Sequence, residues 1–197
     1  MLNVKYDIHP AVLVLTKGSD LKEWIKHYIS LGFEHIFILD NNEHPIKLES
    51  PNITILPYNK VPFVTWLEFQ STAYDYALSF IKNTIYNYLL VVDDDEYLNL
   101  KKHSNIIDHI EKELLMNGFY NCSFQWEIYD DNNIIYEKDC KESIQDTYAR
   151  KLMSHKQSDV VGTIWCKILF RVLPEVYYNK ACNPGHFPNT SLYNSYF

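Results

Sequence analysis

The chain has 197 residues, the length of one globular domain, and is long enough to fold around its own core without a disulfide or metal staple. Hydrophobic residues make up 47% and charged residues 22%, which excludes wholesale disorder, and only 5 glycines argue against Gly-rich phosphate loops. With 18 Lys+Arg against 25 Asp+Glu, the net charge of -7 excludes a broad nucleic-acid-binding face, so any phosphate is expected to be held locally, by a metal or one or two cations.

Residues 1–18 contain too short an apolar run for a signal peptide or a membrane span, so a cytoplasmic location is expected. The cysteines Cys122, Cys140, Cys166 and Cys182 show no C-x-x-C spacing and read as incidental thiols of a reducing compartment.

The first half alternates strand and helix. Ala11–Leu15 is a short apolar run, the mark of a strand covered on both faces. Asp20 with Glu23 three residues on resembles a capping box. It opens a helix carrying Leu21, Trp24, Ile25, Tyr28 and Ile29, which Gly32 is placed to end. His35–Leu39 is a second strand, stopped by Asp40, and Ile53–Leu56 a third, closed by Pro57. Thr65 and Glu68 form another capping box, for a helix to about Lys82. Tyr88–Val92 is a fourth strand and runs straight into Asp93-Asp94-Asp95-Glu96. Ser104 is the expected cap of a helix carrying Ile106, Ile107, Ile110, Leu114 and Leu115, ended near Gly118. Trp24, Tyr28 and Trp66 lie at helical spacing and read as core. The pattern predicts an α/β fold with a mostly parallel sheet and helices on both faces.

The second half changes character. Tyr120–Ile128 alternates, as does Ile164–Val172, where Lys167 and Arg171 share what reads as an exposed polar face. Residues 130–159 between them are polar and irregular, and 182–188 reads as a Pro- and Gly-rich loop.

In an open α/β sheet, ligands bind beyond the carboxyl ends of the strands. Here those ends deliver Thr16 and Lys17, then Asp40, then the four adjacent carboxylates. Like charges packed together disfavour ionisation, and a divalent cation relieves that cost. Oxygen ligands suit Mg²⁺ or Mn²⁺, and such sites commonly combine one or two carboxylates with substrate phosphates. His186 is a candidate third ligand from a loop, and Lys167 a candidate cation for a leaving diphosphate. Glu127, Asp130 and Asp131 are candidates for a base that deprotonates an acceptor hydroxyl, and the sequence does not choose among them.

In combination and order these motifs resemble a GT-A type glycosyltransferase, more narrowly the family 92 and family 2-like bacterial group. The resemblance covers about residues 11 to 188. Its strand, K-N-E and L-x-E-W-x-x-H/Y-x-x-x-G helix correspond to Thr16, Lys17, Leu21, Glu23, Trp24, His27, Tyr28 and Gly32. Its D-x-D-E-F/Y corresponds to Asp93, Asp95, Glu96 and Tyr97, its W-x-K-x-x-x-R to Trp165, Lys167 and Arg171, and its terminal element to His186-Phe187-Pro188. Gly18 and Ser19 stand where the family has Asn-Glu, and Glu43-His44-Pro45 stand after Asn42 where it often has Ser and Asp.

The resemblance implies one domain, with about residues 11–100 binding a nucleotide sugar and about 101–190 forming a smaller, mixed-strand acceptor side. It implies transfer of a sugar from a donor such as UDP-galactose to a glycan or glycolipid hydroxyl, with inversion. Asp95 and Asp93 would hold Mn²⁺ or Mg²⁺ together with His186. Thr16, Lys17, Asp40, Asp93, Asp94 and Lys167 would contact the nucleotide sugar. The expected partners are the donor and the acceptor, without nucleic acid or a transmembrane segment, and peripheral membrane contact is left open. The competing expectations are a metal-dependent nucleotidyltransferase or phosphohydrolase, a receiver-like module, and a degenerate protein that binds nucleotide sugar without turnover.

Overall fold

The computed structural model describes residues 6–17, 20–58, 65–125, 129–130, 150–151 and 166–177. The fold is α/β, built on a six-stranded mixed sheet. Strand β1 is Pro10–Thr16, β2 His35–Asp40, β3 Ile53–Pro57, β4 Tyr88–Val92, β5 Asn121–Gln125 and β8 Cys166–Arg171, in the order β3-β2-β1-β4-β8-β5. Two short strands, β6 Tyr129–Asp130 and β7 Arg150–Lys151, pair separately and antiparallel. By their contacts, the residues within Met1–Cys122 and Ile168–Phe197 form one compact unit, and those within Ser123–Lys167 a second.

Strands β1, β2, β3 and β4 run parallel. The register sets Thr16 beside Asp40 and Val14 beside Val92, so β1, β2 and β4 all end at one edge. Every residue of β1, β2 and β4 is buried, as near-continuous Val, Ile and Leu runs require of central strands covered on both faces. Strand β3 occupies the sheet edge and is only half-buried.

The expectation of a mostly parallel sheet is corrected by β8, which pairs antiparallel to β4 through Leu169–Arg171 and makes the sheet mixed. The expected exposed face of this strand is also wrong in part. Lys167 through Phe170 are all buried and Arg171 is exposed. The strand lies inside the sheet order, between β4 and β5, and its Ile168 and Phe170 join the hydrophobic core, while Lys167 and Leu169 are buried where a half-exposed alternation was expected.

Helix α1 (Lys22–Ser30) buries Trp24 and Tyr28, four residues apart on one face, with ring centroids 4.3 Å apart. Gly32, at φ 90°, closes the helix. The Gly32 and Phe33 amides bond back to the Ile29 and Tyr28 carbonyls, a conformation that an L side chain rarely adopts. The helix starts without the expected capping box: Leu21 is the N-cap residue, and Asp20 Oδ1 instead accepts from the Lys22 amide at 3.1 Å.

Helix α2 (Trp66–Ile81) has the expected box. Thr65 Oγ1 accepts from the Glu68 amide and Glu68 Oε2 from the Thr65 amide. Its Phe69, Ala73, Tyr74, Ala77, Leu78 and Ile81 pack on Leu13, Leu15, Phe37, Leu39, Leu89 and Val91. Trp66, expected in the core, is 58% exposed. It stands at the first helical position, before that apolar stripe begins, with its ring 5.4 Å from Phe69. Right-handed crossovers running in opposite directions along the sheet put α1 and α2 on opposite faces.

The helix expected after Ser104 is capped by Asn105, whose side chain accepts from the Asp108 amide. It is also irregular. Helix α3 (Ile106–His109) passes into a π turn at Ile110–Leu114 and a 3-10 turn at Leu115–Asn117, and ends at Gly118 with φ 72°. Ile106, Ile110 and Leu114 are all fully buried. A strict spacing of four drifts about 40° per step on a regular helix, and a wider turn offsets that drift.

Candidate active site

The carboxyl ends of β1, β2 and β4 form the candidate site. Parallel pairing brings Thr16, Asp40 and the acidic turn together, although they are far apart in sequence. Thr16 is buried, and its hydroxyl donates to Asp94 Oδ2 at 2.7 Å across 78 residues of chain. The Asn41 amide bonds to the Thr16 carbonyl and ties the ends of β1 and β2. Lys17 follows on an exposed bend.

The acidic turn is closed on itself. Glu96 Oε2 accepts from the Asp93 amide at 2.8 Å, and the Glu96 amide bonds the Asp93 carbonyl at 3.2 Å. Asp93 and Asp94 are half-buried and Asp95 is exposed. Helix α1 anchors the segment that follows. The Tyr28 hydroxyl donates to the Glu96 carbonyl at 3.1 Å, and the His27 ring meets the Leu98 carbonyl at 2.9 Å. Burial, with the Glu96 charge second, pushes the Tyr28 phenol well above its usual range, so it stays a donor. Burial lowers His27, which keeps its ring neutral at physiological pH. Tyr28 reads from sequence as core alone. Its spacing hides the second role because one side chain both packs and donates.

Asp40 is buried, and its carboxylate is engaged by its own loop. Oδ1 accepts from the Asn42 amide and side chain at 3.0 and 2.6 Å, and Oδ2 from the Ile46 amide at 2.8 Å. The segment after Asn42, where Glu43-His44-Pro45 stand, is thus shaped by the aspartate itself.

Of the other candidates, Lys167 and Asp130 fall among the described residues. Lys167 is buried on β8 and groups with the second unit. Asp130 lies in β6, its backbone paired opposite Arg150, so it belongs to a strand where an irregular loop was expected. Glu127, Asp131, His186 and Trp165 lie outside the described residues. At the opposite, amino-terminal ends of β1 and β4 there is a cavity of about 400 Å³, lined by Tyr6, Asp7, Asn87, Tyr88, Leu115 and Arg171.

Among the described residues, no group of three or more His, Cys, Asp or Glu side chains is arranged to hold a metal ion unaided. The three aspartates of the acidic turn do supply hard oxygen donors, one exposed and two half-buried, which fit a cation that takes one or two protein carboxylates and completes its shell from substrate. No described helix is long and apolar enough to cross a membrane. No protein-family model matches the chain, and no curated protein matches it.

Proposed function

We propose that this protein is a glycosyltransferase of the GT-A type that moves a hexose from a uridine diphosphate sugar to a hydroxyl of a glycan or glycolipid. The observation that carries this reading is the single sheet edge at which Thr16, Asp40 and Asp93–Glu96 meet, with Thr16 bonded to Asp94 at 2.7 Å. Carboxylates beyond the ends of parallel strands suit a nucleotide whose diphosphate is bridged to them by a cation.

In this reading Asp93 and Asp95 would hold Mn²⁺ or Mg²⁺, with His186 as a further ligand, and the cation would supply positive charge at the diphosphate. Thr16, Lys17, Asp40 and Asp94 line the nucleotide side. Lys167 neutralises the leaving diphosphate. A carboxylate among Glu127, Asp130 and Asp131, Glu127 first, takes the proton of the acceptor hydroxyl as that oxygen attacks the anomeric carbon, with inversion. Glu127 is put first because the Tyr120–Ile128 alternation reads as a strand, and catalysis needs fixed positioning. The protein works in the cytoplasm, on soluble or membrane-surface acceptors.

The test is a screen of nucleotide sugars with Mn²⁺ and Mg²⁺ that reads the nucleotide released, paired with calorimetry of UDP binding. UDP release and tight metal-dependent binding are expected. Equal UDP affinity after chelation would sink the metal bridge. Release of pyrophosphate or phosphate would point to a nucleotidyltransferase or phosphohydrolase. Binding without release in any pairing would leave a nucleotide-sugar-binding protein without turnover.

A further inference from the structure

The amino-terminal ends of the parallel strands, at the opposite edge of the sheet from the acidic turn, hold a different arrangement of titratable groups. His9 stands between two carboxylates. Its Nδ1 meets Glu34 Oε2 at 2.7 Å, and its Nε2 meets Asp7 Oδ1 at 2.8 Å. An ionised carboxylate only accepts hydrogen bonds, and a neutral imidazole has one N–H. The two bonds therefore exist together only when both ring nitrogens carry a proton. One proton decides whether His9 holds two partners or one.

The three side chains come from different places in the fold. Asp7 and His9 lie on the segment that leads into β1, and Glu34 directly precedes β2. Asn87, directly before β4, fastens the same segment through its backbone. Asn87 Oδ1 accepts from the His9 amide at 2.9 Å, the Asn87 side-chain amide donates to the Asp7 carbonyl at 2.8 Å, and the Asn87 backbone amide donates to the His9 carbonyl at 3.0 Å. These bonds do not titrate, so they keep His9 in place whatever its charge. Tyr6 and Asp7, on this segment, form one wall of the cavity of about 400 Å³. All these residues belong to the first compact unit.

We propose that Asp7, His9 and Glu34 form a proton-dependent clasp, in which the His9 imidazolium binds both carboxylates and fixes the Asp7 wall of the cavity, and loss of its proton frees Asp7. Asp7 is the partner released because its side chain is 89% exposed, so water replaces His9 there. The Glu34 bond is shorter, and the Glu34 side chain is 37% exposed. The Glu34 hydrogen bond foremost raises His9 above the ordinary imidazole value, the Glu34 charge and Asp7 add to it, and burial opposes them. The clasp is therefore complete below the ordinary imidazole value and is lost as pH rises through the raised one. Around the clasp stand Asn87, which is uncharged, Tyr86, which burial first and the Glu34 charge second keep protonated, and Arg171, which lines the same cavity from β8.

A nuclear magnetic resonance titration of the full chain from about pH 6 to about pH 9 tests this. The His9 ring should titrate above the ordinary imidazole value of about 6.5. The Asp7 side-chain carboxyl carbon should shift with the same midpoint. Carbon-13 relaxation of the Tyr6 ring and the Asp7 side chain should show greater motion at the upper end of the range than at the lower. Glu34→Gln, which keeps an acceptor but removes the charge, should lower the proton affinity of His9 by about threefold or more. A His9 midpoint at or below the ordinary value would overturn the clasp, as would an unchanged midpoint in Glu34→Gln. Equal motion of Tyr6 and Asp7 at the two ends of the range would overturn the release of the cavity wall. If the variant does not fold, the wild-type titration decides alone, and a separation of the Asp7 and His9 midpoints would equally overturn the proposal.

Discussion

The acidic turn after β4 and the His–Cys–Glu cluster around α3 are both knots of titratable groups, but they are built on opposite principles. The turn gathers four like charges at a strand end. Threonine, tyrosine and backbone groups hold its shape, through Thr16 on Asp94 and Tyr28 on the Glu96 carbonyl. The cluster mixes charge types and satisfies itself by pairs, His103 with Glu113 and His109 with Cys122. Like charges held in a fixed shape favour an external cation, whereas mixed groups already paired have little to offer one.

The comparison breaks most easily at Asp95. Under the proposed function, Asp95→Asn should lower sugar transfer by orders of magnitude while leaving the unfolding curve unchanged, because the side chain is exposed and its charge would serve the cation. Transfer at the wild-type rate would reduce the turn to a solvated loop. Next in size, Glu127→Gln should keep UDP affinity and lower transfer by about 10²–10⁴-fold, the usual worth of a general base. Unchanged transfer would move the base to Asp131 or Asp130.

The scaffold beneath the charges gives a smaller effect. Thr16→Val keeps the volume but removes the donor to Asp94, and should cost about 1.5–3 kcal/mol in urea unfolding, the range for a hydrogen bond to a charged group. A stability equal to wild type would mean that the turn holds its shape without β1.

The smallest effect distinguishes the cluster from the turn by pH. His109 is depressed in the folded state by burial, so its contribution to stability is full above the ordinary imidazole value and is lost as pH falls through its lowered one. Glu113 is lowered by its bond to His103, so its contribution is lost only at more acid pH, below the ordinary carboxylate range. Wild-type unfolding should therefore weaken in two stages on acidification. His109→Gln should remove the first and keep the second. A single stage in wild type would show that the two pairs titrate as one unit.

Much of this was legible in the chain itself. Apolar runs without polar interruption marked β1, β2 and β4 to within a residue of their bounds, since a strand covered on both faces has nowhere to put a polar side chain. Thr65 with Glu68 marked the start of α2. The acidic turn was legible as four carboxylates directly after a buried strand, and the parallel register places that turn at the edge where β1, β2 and β4 end. Other features were decided only by the tertiary structure. The antiparallel partner of β4 was invisible because direction in a sheet leaves no trace in alternation. The burial of Lys167, on a strand whose alternation reads as half-exposed, depends on what packs over that face, which no local pattern encodes. The π turn arose where buried residues spaced by four had to meet one core. The bond from Thr16 to Asp94 and the meeting of His109 with Cys122 depend on long-range packing, since each joins backbone segments whose local sequences carry no record of the other.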